Sequence, residues 1–135
     1  MPSNVALPSL RSPPPRGDAG ASSAVVSKAV VRAAGALGLR QLELAHTLGI
    51  SPASASRLMA GQYLLPAGSK PFEMALLVIR AFRSLSGVLG DQIEQISAWM
   101  RVENRALGGV PAELIGTVTG LVNTVAYLDA ARARI

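Results

Sequence analysis

The stretch LRQLELAHTLGISPASASRLMAGQ, residues 39–62, constrains the fold more than any other part of this chain. It contains two short segments of helix-forming residues separated by Gly49, and glycine readily takes the positive φ of a tight turn. Ser51 and Pro52 then form a typical helix start, because serine caps a helix and proline fits its first position. We therefore predict one helix over residues 39–48 and another that starts at Pro52.

The same stretch indicates how the two predicted helices pack against each other. Two helices that cross at a large angle need a small residue at their contact, and Ala45 supplies one. They also need apolar anchors on both sides of the turn that face a common core. Residues with this spacing are Leu44, Leu48, Ile50, Ala55 and Leu58. The pattern predicts a helix-turn-helix, in which the second helix enters the major groove of DNA.

The predicted recognition helix is built mostly from alanine and serine, with one arginine. Arg57 can read a guanine edge with two hydrogen bonds or hold a phosphate. Serines near the start of the helix can donate to phosphate at the positive end of the helix dipole. Plain solvation is the alternative for any single serine. The predicted DNA-binding residues are Arg40, Gln41, Ser51, Ala53, Ser54, Ser56, Arg57 and Lys70.

The positive charge of the chain is concentrated in the half that contains this motif. The formal net charge is +5. Residues 24–70 hold five basic residues against Glu43 alone, whereas residues 71–135 hold six arginines and six acids. Because a basic surface attracts phosphate, this distribution favours nucleic-acid binding by the first half, with a solvated basic face as the alternative.

Apolar residues at three- and four-residue spacing predict further helices on both sides of the motif. No pair of segments reads as strands, and aromatic residues make up only 4% of the chain, so Leu, Val, Ile and Ala must build the core. The prediction is an all-α fold in three parts. Residues 1–22, rich in Pro, Ser and Gly, form a flexible arm; the helix-turn-helix domain spans residues 23–70, with its first helix starting at Ala24; and residues 71–135 form a second helical domain.

Composition excludes several classes of site. The chain has no Cys, which rules out disulfides, thiol catalysis and Cys-ligated zinc, and the single His46 cannot form a multi-histidine metal site. No glycine-rich phosphate loop or paired carboxylates stand out, so we expect neither an enzyme nor a bound cofactor.

The most apolar run, FEMALLVIRAFRSLSGVLG, is interrupted by charges, and no signal peptide is recognisable. With the lack of cysteine, this favours a cytoplasmic protein without a membrane segment.

The second half contains one distinctive run, AWMRVENRALGGVPAELIGTVTGLVNTVAYLDAARARI. It looks like the C-terminal toxin-binding domain of antitoxins of the Xre/ParS/MbcA type, and residues 39–62 resemble their Xre-like helix-turn-helix. The resemblance covers residues 24–135 and is carried by Trp99, Asn104, Leu107, Gly108, Gly109, Pro111, Glu113, Leu114, Val125 and Leu128. Most of these residues can also be explained by a structural role in shaping and packing the loop. The main ones are Trp99, Asn104, Gly108, Gly109 and Pro111.

The resemblance implies a bacterial antitoxin of a RES-Xre type II toxin–antitoxin system. Such antitoxins are homodimers that neutralise a RES-domain toxin, which consumes NAD⁺, and repress their own operon; residues 71–135 would dimerise and bind the toxin. In this family the C-terminal end approaches the active site of the toxin, which implies toxin contacts by Arg132, Ala133, Arg134 and Ile135. Two alternatives stay open. These four residues can be a solvated chain end, and the whole chain can be a stand-alone dimeric helix-turn-helix regulator without a toxin partner.

Overall fold

The computed structural model of the chain describes residues 16–134, which fold into seven helices and confirm the predicted all-α class. Within these residues the one β-type pairing is an isolated bridge between Asn104 and Gly109. The helices are α1 (Arg16–Leu37), α2 (Gln41–Leu48), α3 (Pro52–Met59), α4 (Lys70–Leu89), α5 (Ile93–Arg101), α6 (Pro111–Leu114) and α7 (Val118–Ala133). Helices α2 and α3 are the two helices predicted around the tight turn.

Helix α1 begins at Arg16 rather than at Ala24, so the last part of the predicted flexible arm, residues 16–22, is helical. The glycines in this segment suggest a loop when the sequence is read alone. Extending an existing helix nevertheless costs little, because each added residue gains a backbone hydrogen bond after the costly first turn has formed. The rest of the predicted arm, residues 1–15, lies outside the described residues.

Helix α4 lies at the centre of the fold, where it packs against α1 and α7 and also contacts α2 and α5. Side chains from all seven helices join in one apolar cluster. Burying one leucine contributes about 2 kcal/mol, so the many buried leucines of this cluster stabilise both halves of the chain together. The helix-turn-helix and the second helical region therefore share a single core. Its fully buried large side chains include Leu37, Leu44, Leu48, Leu58, Leu65, Leu85, Ile96, Met100, Ile115, Leu121 and Leu128.

Thr47 carries the buried side-chain oxygen that has no hydrogen-bond partner in the described part of the chain, and the residue is 5% exposed. A hydroxyl in this position has lost its hydrogen bonds to water without a replacement. We therefore expect Thr47→Val, which keeps the shape and removes the hydroxyl, to raise the free energy of unfolding by about 1 kcal/mol in urea denaturation. Thr119→Val, at an exposed position of α7, is the control. A loss of stability in Thr47→Val would show that the hydroxyl is hydrogen-bonded in the folded protein.

Candidate DNA-binding and partner-binding surfaces

The turn between α2 and α3 follows from local sequence chemistry. Gly49 has a φ of 73°, and its N–H donates to the carbonyl of Ala45 at 2.9 Å, which ends α2. Ser51 starts α3, because its hydroxyl accepts a hydrogen bond from the backbone N–H of Ser54 at 3.0 Å. The small side chains of Ala45 and Ala55 are buried, which lets the two helices approach closely. Their relative orientation is therefore fixed by short-range interactions.

Helix α3 presents Ala53, Ser56 and Arg57 to solvent, whereas Ser54 is half-buried. The Ser51 hydroxyl donates to the Ser54 hydroxyl at 3.1 Å, so both serines are engaged with each other at the helix start. Arg57 makes one long contact, 3.5 Å from its Nη2 to the Ser54 hydroxyl. Since a normal N–H to O hydrogen bond is no longer than about 3.2 Å, the guanidinium of Arg57 remains available to an external acceptor.

The start of α2 lies beside the start of α3. Nε2 of Gln41 lies 3.4 Å from the carbonyl oxygen of Pro52, a long contact that places the two helix starts side by side. Arg40 precedes α2, and its backbone N–H donates to the carboxylate of Glu43 at 2.8 Å. Both Arg40 and Gln41 are exposed. The structure thus places these two residues next to the exposed face of α3.

Lys70, the last of the predicted DNA-binding residues, stands apart from the others on the first turn of α4. It is exposed and lies 3.9 Å from the carboxylate of Glu73. It lines a cleft with His46 and Gly49, so it lies beside the turn of the helix-turn-helix rather than on α3. The predicted set therefore forms one surface on α2 and α3, with Lys70 at its border.

An ion pair that the sequence analysis did not predict links α2 to α5. Arg101, at the end of α5, donates from Nη1 and Nη2 to the two carboxylate oxygens of Glu43 at 2.5 and 2.7 Å, and from Nη2 to the carbonyl of Gly38. These hydrogen bonds lower the pKa of Glu43 from 4.5 to about 2, although partial burial acts in the opposite direction. Because Glu43 is the one acid in residues 24–70, no unpaired carboxylate of this segment opposes phosphate binding.

Asn104 closes the loop that follows α5. Its side-chain oxygen accepts a hydrogen bond from the N–H of Leu107 at 3.0 Å, and its backbone N–H donates to the carbonyl of Gly109 at 2.8 Å. Gly108 has a φ of 83° within this turn. Pro111 is buried at the first position of α6, directly after the loop. These contacts give the loop a defined backbone path between α5 and α6.

Trp99 contacts the last helix. Its ring stacks on that of Tyr127 in α7, with the ring centroids 6.4 Å apart and the planes inclined by 21°. Such offset aromatic pairs contribute about 1 kcal/mol beyond the burial of their surface. Trp99 therefore connects α5 to α7, next to the loop closed by Asn104.

The predicted toxin-contacting end is divided between two environments. Arg132 and Ala133 line an open cavity between α1, α4 and α7, whereas Arg134 follows the end of α7 and is exposed. Ile135 lies outside the described residues. Arg132 is therefore part of a groove on the side of the bundle and not only of the chain end.

Some kinds of site are not found in residues 16–134. In this range no group of three or more His, Cys, Asp or Glu side chains is placed to hold a metal ion. No helix in the same range combines the length and the apolar character that are needed to cross a membrane.

Both halves of the chain match models of antitoxin families. Residues 17–80 match the antitoxin Xre-like helix-turn-helix domain, and residues 84–134 match the antitoxin Xre/MbcA/ParS C-terminal toxin-binding domain. A search of curated proteins found no match. The two family matches support an antitoxin with a helix-turn-helix for DNA binding, and neither family is an enzyme family.

Proposed function

We propose that this chain, which joins an antitoxin-type helix-turn-helix to an antitoxin-type toxin-binding domain, neutralises a RES-domain toxin that consumes NAD⁺ and represses its own operon as a homodimer. One observation carries the proposal. The helix-turn-helix, whose one acid in residues 24–70 is engaged by Arg101, shares an apolar core with the region that matches the toxin-binding family, which supports one folded unit with separate surfaces for DNA and for a protein.

On the DNA side, α3 lies in the major groove and Arg57 supplies the base or phosphate contact. Arg40, Gln41 and Lys70 hold the phosphates on either side of this helix. A homodimer places two copies of α3 at the spacing of two half-sites. Because both copies contact the same DNA, the dimer binds it more tightly than one alanine- and serine-rich helix does alone.

Replacing Arg57 with alanine is expected to weaken binding to the promoter of its own operon by about tenfold, because one charge-assisted contact is lost. Arg57→Lys separates the two roles of this side chain. Lysine keeps the charge for a phosphate but loses the planar pair of donors that reads guanine. Mobility shifts with the promoter fragment and an unrelated fragment measure both effects. Unchanged affinity in Arg57→Ala would remove this residue from the DNA interface.

On the toxin side, the basic chain end suits a cleft that holds an anionic dinucleotide. Arg134 is exposed at the end of α7 and makes no ion pair within the described residues, so its charge is available to a partner. We propose that this end lies over the active site of the toxin and blocks access of NAD⁺.

Deleting residues 132–135 is expected to weaken binding of the toxin by about tenfold or more, since buried interface arginines commonly contribute this much. Binding to promoter DNA is the internal control, because α2 and α3 are intact in the shortened protein. Full neutralisation by the shortened protein, at equal concentration, would disprove the role of the chain end.

The proposal as a whole is tested with purified proteins. The product of the reading frame beside this gene is assayed for NAD⁺ consumption, alone and with increasing amounts of this chain. We expect inhibition that is complete at a fixed molar ratio. Consumption of NAD⁺ that continues in an excess of this chain would instead support the stand-alone regulator.

A further inference from the structure

A groove runs along the side of the bundle between α1 and α4 and consists of two adjoining cavities. Its wider part, of about 880 Å³, is closed at one end by Arg132 and Ala133 of α7. A second part, of about 420 Å³, shares Val25 and Arg83 with the first and extends along α1 to Arg32. The floor of this α1–α4 groove is apolar and is formed by Val25, Val26, Ala29, Leu76, Leu77, Ile79 and Phe82.

Two side chains of the apolar floor are exposed to solvent, and the other five are half-buried. Val25 is 66% exposed and Leu76 is 45% exposed, on the two helices that face each other across the groove. The floor residues recur at three- and four-residue spacing on each helix, so each helix contributes a stripe. Two apolar stripes that line the same groove are suited to receive the apolar face of another helix.

The rim of the α1–α4 groove is positively charged. Lys28, Arg32, Arg83 and Arg132 line it, and none of them forms an ion pair within residues 16–134. The acid that lines the groove, Asp129, is already engaged. Its carboxylate accepts from the Ser84 hydroxyl at 2.6 Å and from Arg80 Nη2 at 2.8 Å. Within residues 16–134, none of the four rim cations therefore forms an ion pair with a carboxylate.

Gly87 leaves space for Arg132 at the rim of the groove. A Cβ atom added at Gly87 of α4 would lie 3.0 Å from Nε and 3.2 Å from Cδ of Arg132. The missing side chain thus leaves room for the stem of Arg132 to lie along α4. Glycine within a helix costs up to about 1 kcal/mol relative to alanine. The close approach of Arg132 is a packing reason for the absence of a side chain at this position.

We infer that the α1–α4 groove binds an acidic amphipathic helix of the toxin, whose apolar face covers the floor and whose carboxylates pair with Lys28, Arg32, Arg83 and Arg132. This inference rests on the proposed function and names a second contact beside the chain end.

Nucleic acid fits the positively charged rim of the groove but not its apolar floor. A second copy fits the floor, but a two-fold contact through this groove sets the cationic rims of both copies against each other.

The test measures the affinity of the full-length chain for the protein encoded by the adjacent reading frame, by titration calorimetry. We expect Arg83→Glu to weaken binding by about tenfold and Arg83→Glu with Arg132→Glu by about 100-fold, because like charges then face each other. Arg105→Glu makes the same single charge change on an exposed loop outside the groove and is expected to leave the affinity within about twofold. Helical circular dichroism verifies that each variant is folded.

A second pair of variants keeps every charge. Gly87→Ala places a Cβ atom 3.0 Å from Nε of Arg132 and so requires a small shift of that side chain, whereas Gly35→Ala adds a methyl group on α1 with nothing within 4 Å. We expect weaker toxin binding in Gly87→Ala alone, with no loss of thermal stability in either variant.

The outcomes of these measurements distinguish the toxin, a second copy and DNA as the ligand of the α1–α4 groove. If the wild-type chain does not bind the adjacent protein, the proposed function and this inference are both overturned. If it binds and the groove variants bind equally well, this inference alone is overturned. Two further outcomes overturn it while toxin binding stays intact. If the charge reversals dissociate the homodimer in sedimentation, a second copy occupies the groove. If they weaken promoter binding, DNA occupies it.

Discussion

Gly120→Ala is expected to lower the free energy of unfolding by more than about 3 kcal/mol, or to prevent folding of the C-terminal half. A Cβ atom at Gly120 would lie 1.8 Å from the carbonyl oxygen of Leu114 and 2.7 Å from its carbonyl carbon. Both atoms belong to the backbone at the end of α6, so no rotation of a side chain can relieve the collision. The first turn of α7 must move away from α6, and the core beneath them opens.

Urea denaturation followed by circular dichroism measures this effect. Gly35→Ala is the matched control, because it makes the same substitution within a helix at a position with nothing within 4 Å. It is expected to gain up to about 1 kcal/mol from the higher helix propensity of alanine. If Gly120→Ala were as stable as the wild type to within the error of the measurement, the close approach of α6 and α7 would be wrong.

The second large effect is expected at the ion pair between α2 and α5. Arg101→Ala should lower the free energy of unfolding by about 2 kcal/mol near neutral pH, a value reduced for the partial exposure of the pair. The side chain of Glu43 is 16% exposed and that of Arg101 34%, and removing the arginine leaves a half-buried carboxylate without its strongest partner. Arg40→Ala removes the second side chain that pairs with Glu43 and keeps the backbone hydrogen bond of residue 40. Because the Arg40 side chain is 77% exposed, this change should cost less than about 1 kcal/mol.

The pH dependence of Arg101→Ala follows from the lowered pKa of Glu43. The folded-state pKa is about 2 and the ordinary value is 4.5, so the unfolded state binds the proton first. The contribution of the ion pair is therefore complete above pH 4.5 and is lost as the pH falls from 4.5 towards 2. The difference in unfolding free energy between the wild type and Arg101→Ala should shrink across this interval. A difference that stays constant down to pH 2 would exclude the ion pair as its source.

The helix-turn-helix could be predicted from the sequence because its determinants are local. Gly49, Ser51 and Pro52 act within one turn of the chain, and the buried Leu44, Leu48, Ala55 and Leu58 repeat at helical spacing. Such short-range signals fix the bounds of α2 and α3 to within one or two residues.

The features that were not predicted depend on distant residues. Glu43 and Arg101 are 58 positions apart, and nothing in either neighbourhood indicates the other. In the sequence, Gly120 is a glycine of low helix propensity within a predicted helix. Its close contact with the backbone of Leu114 is evident only from the fold. The start of α1 at Arg16 is not evident from the sequence, because residues 16–22 are rich in small residues and carry no apolar periodicity, whereas the helix that follows allows its extension into them. The α1–α4 groove is formed by three helices, so its residues share no pattern in the sequence.

The central claim, that this chain neutralises a toxin that consumes NAD⁺, is tested most directly in cells that express the adjacent reading frame with and without this chain, while growth and NAD⁺ are followed. We predict that the neighbour alone arrests growth and depletes NAD⁺, and that co-expression restores both. If the neighbour is harmless, or if growth and NAD⁺ stay low in the presence of this chain, the claim is contradicted and the chain acts as a DNA-binding regulator with another partner.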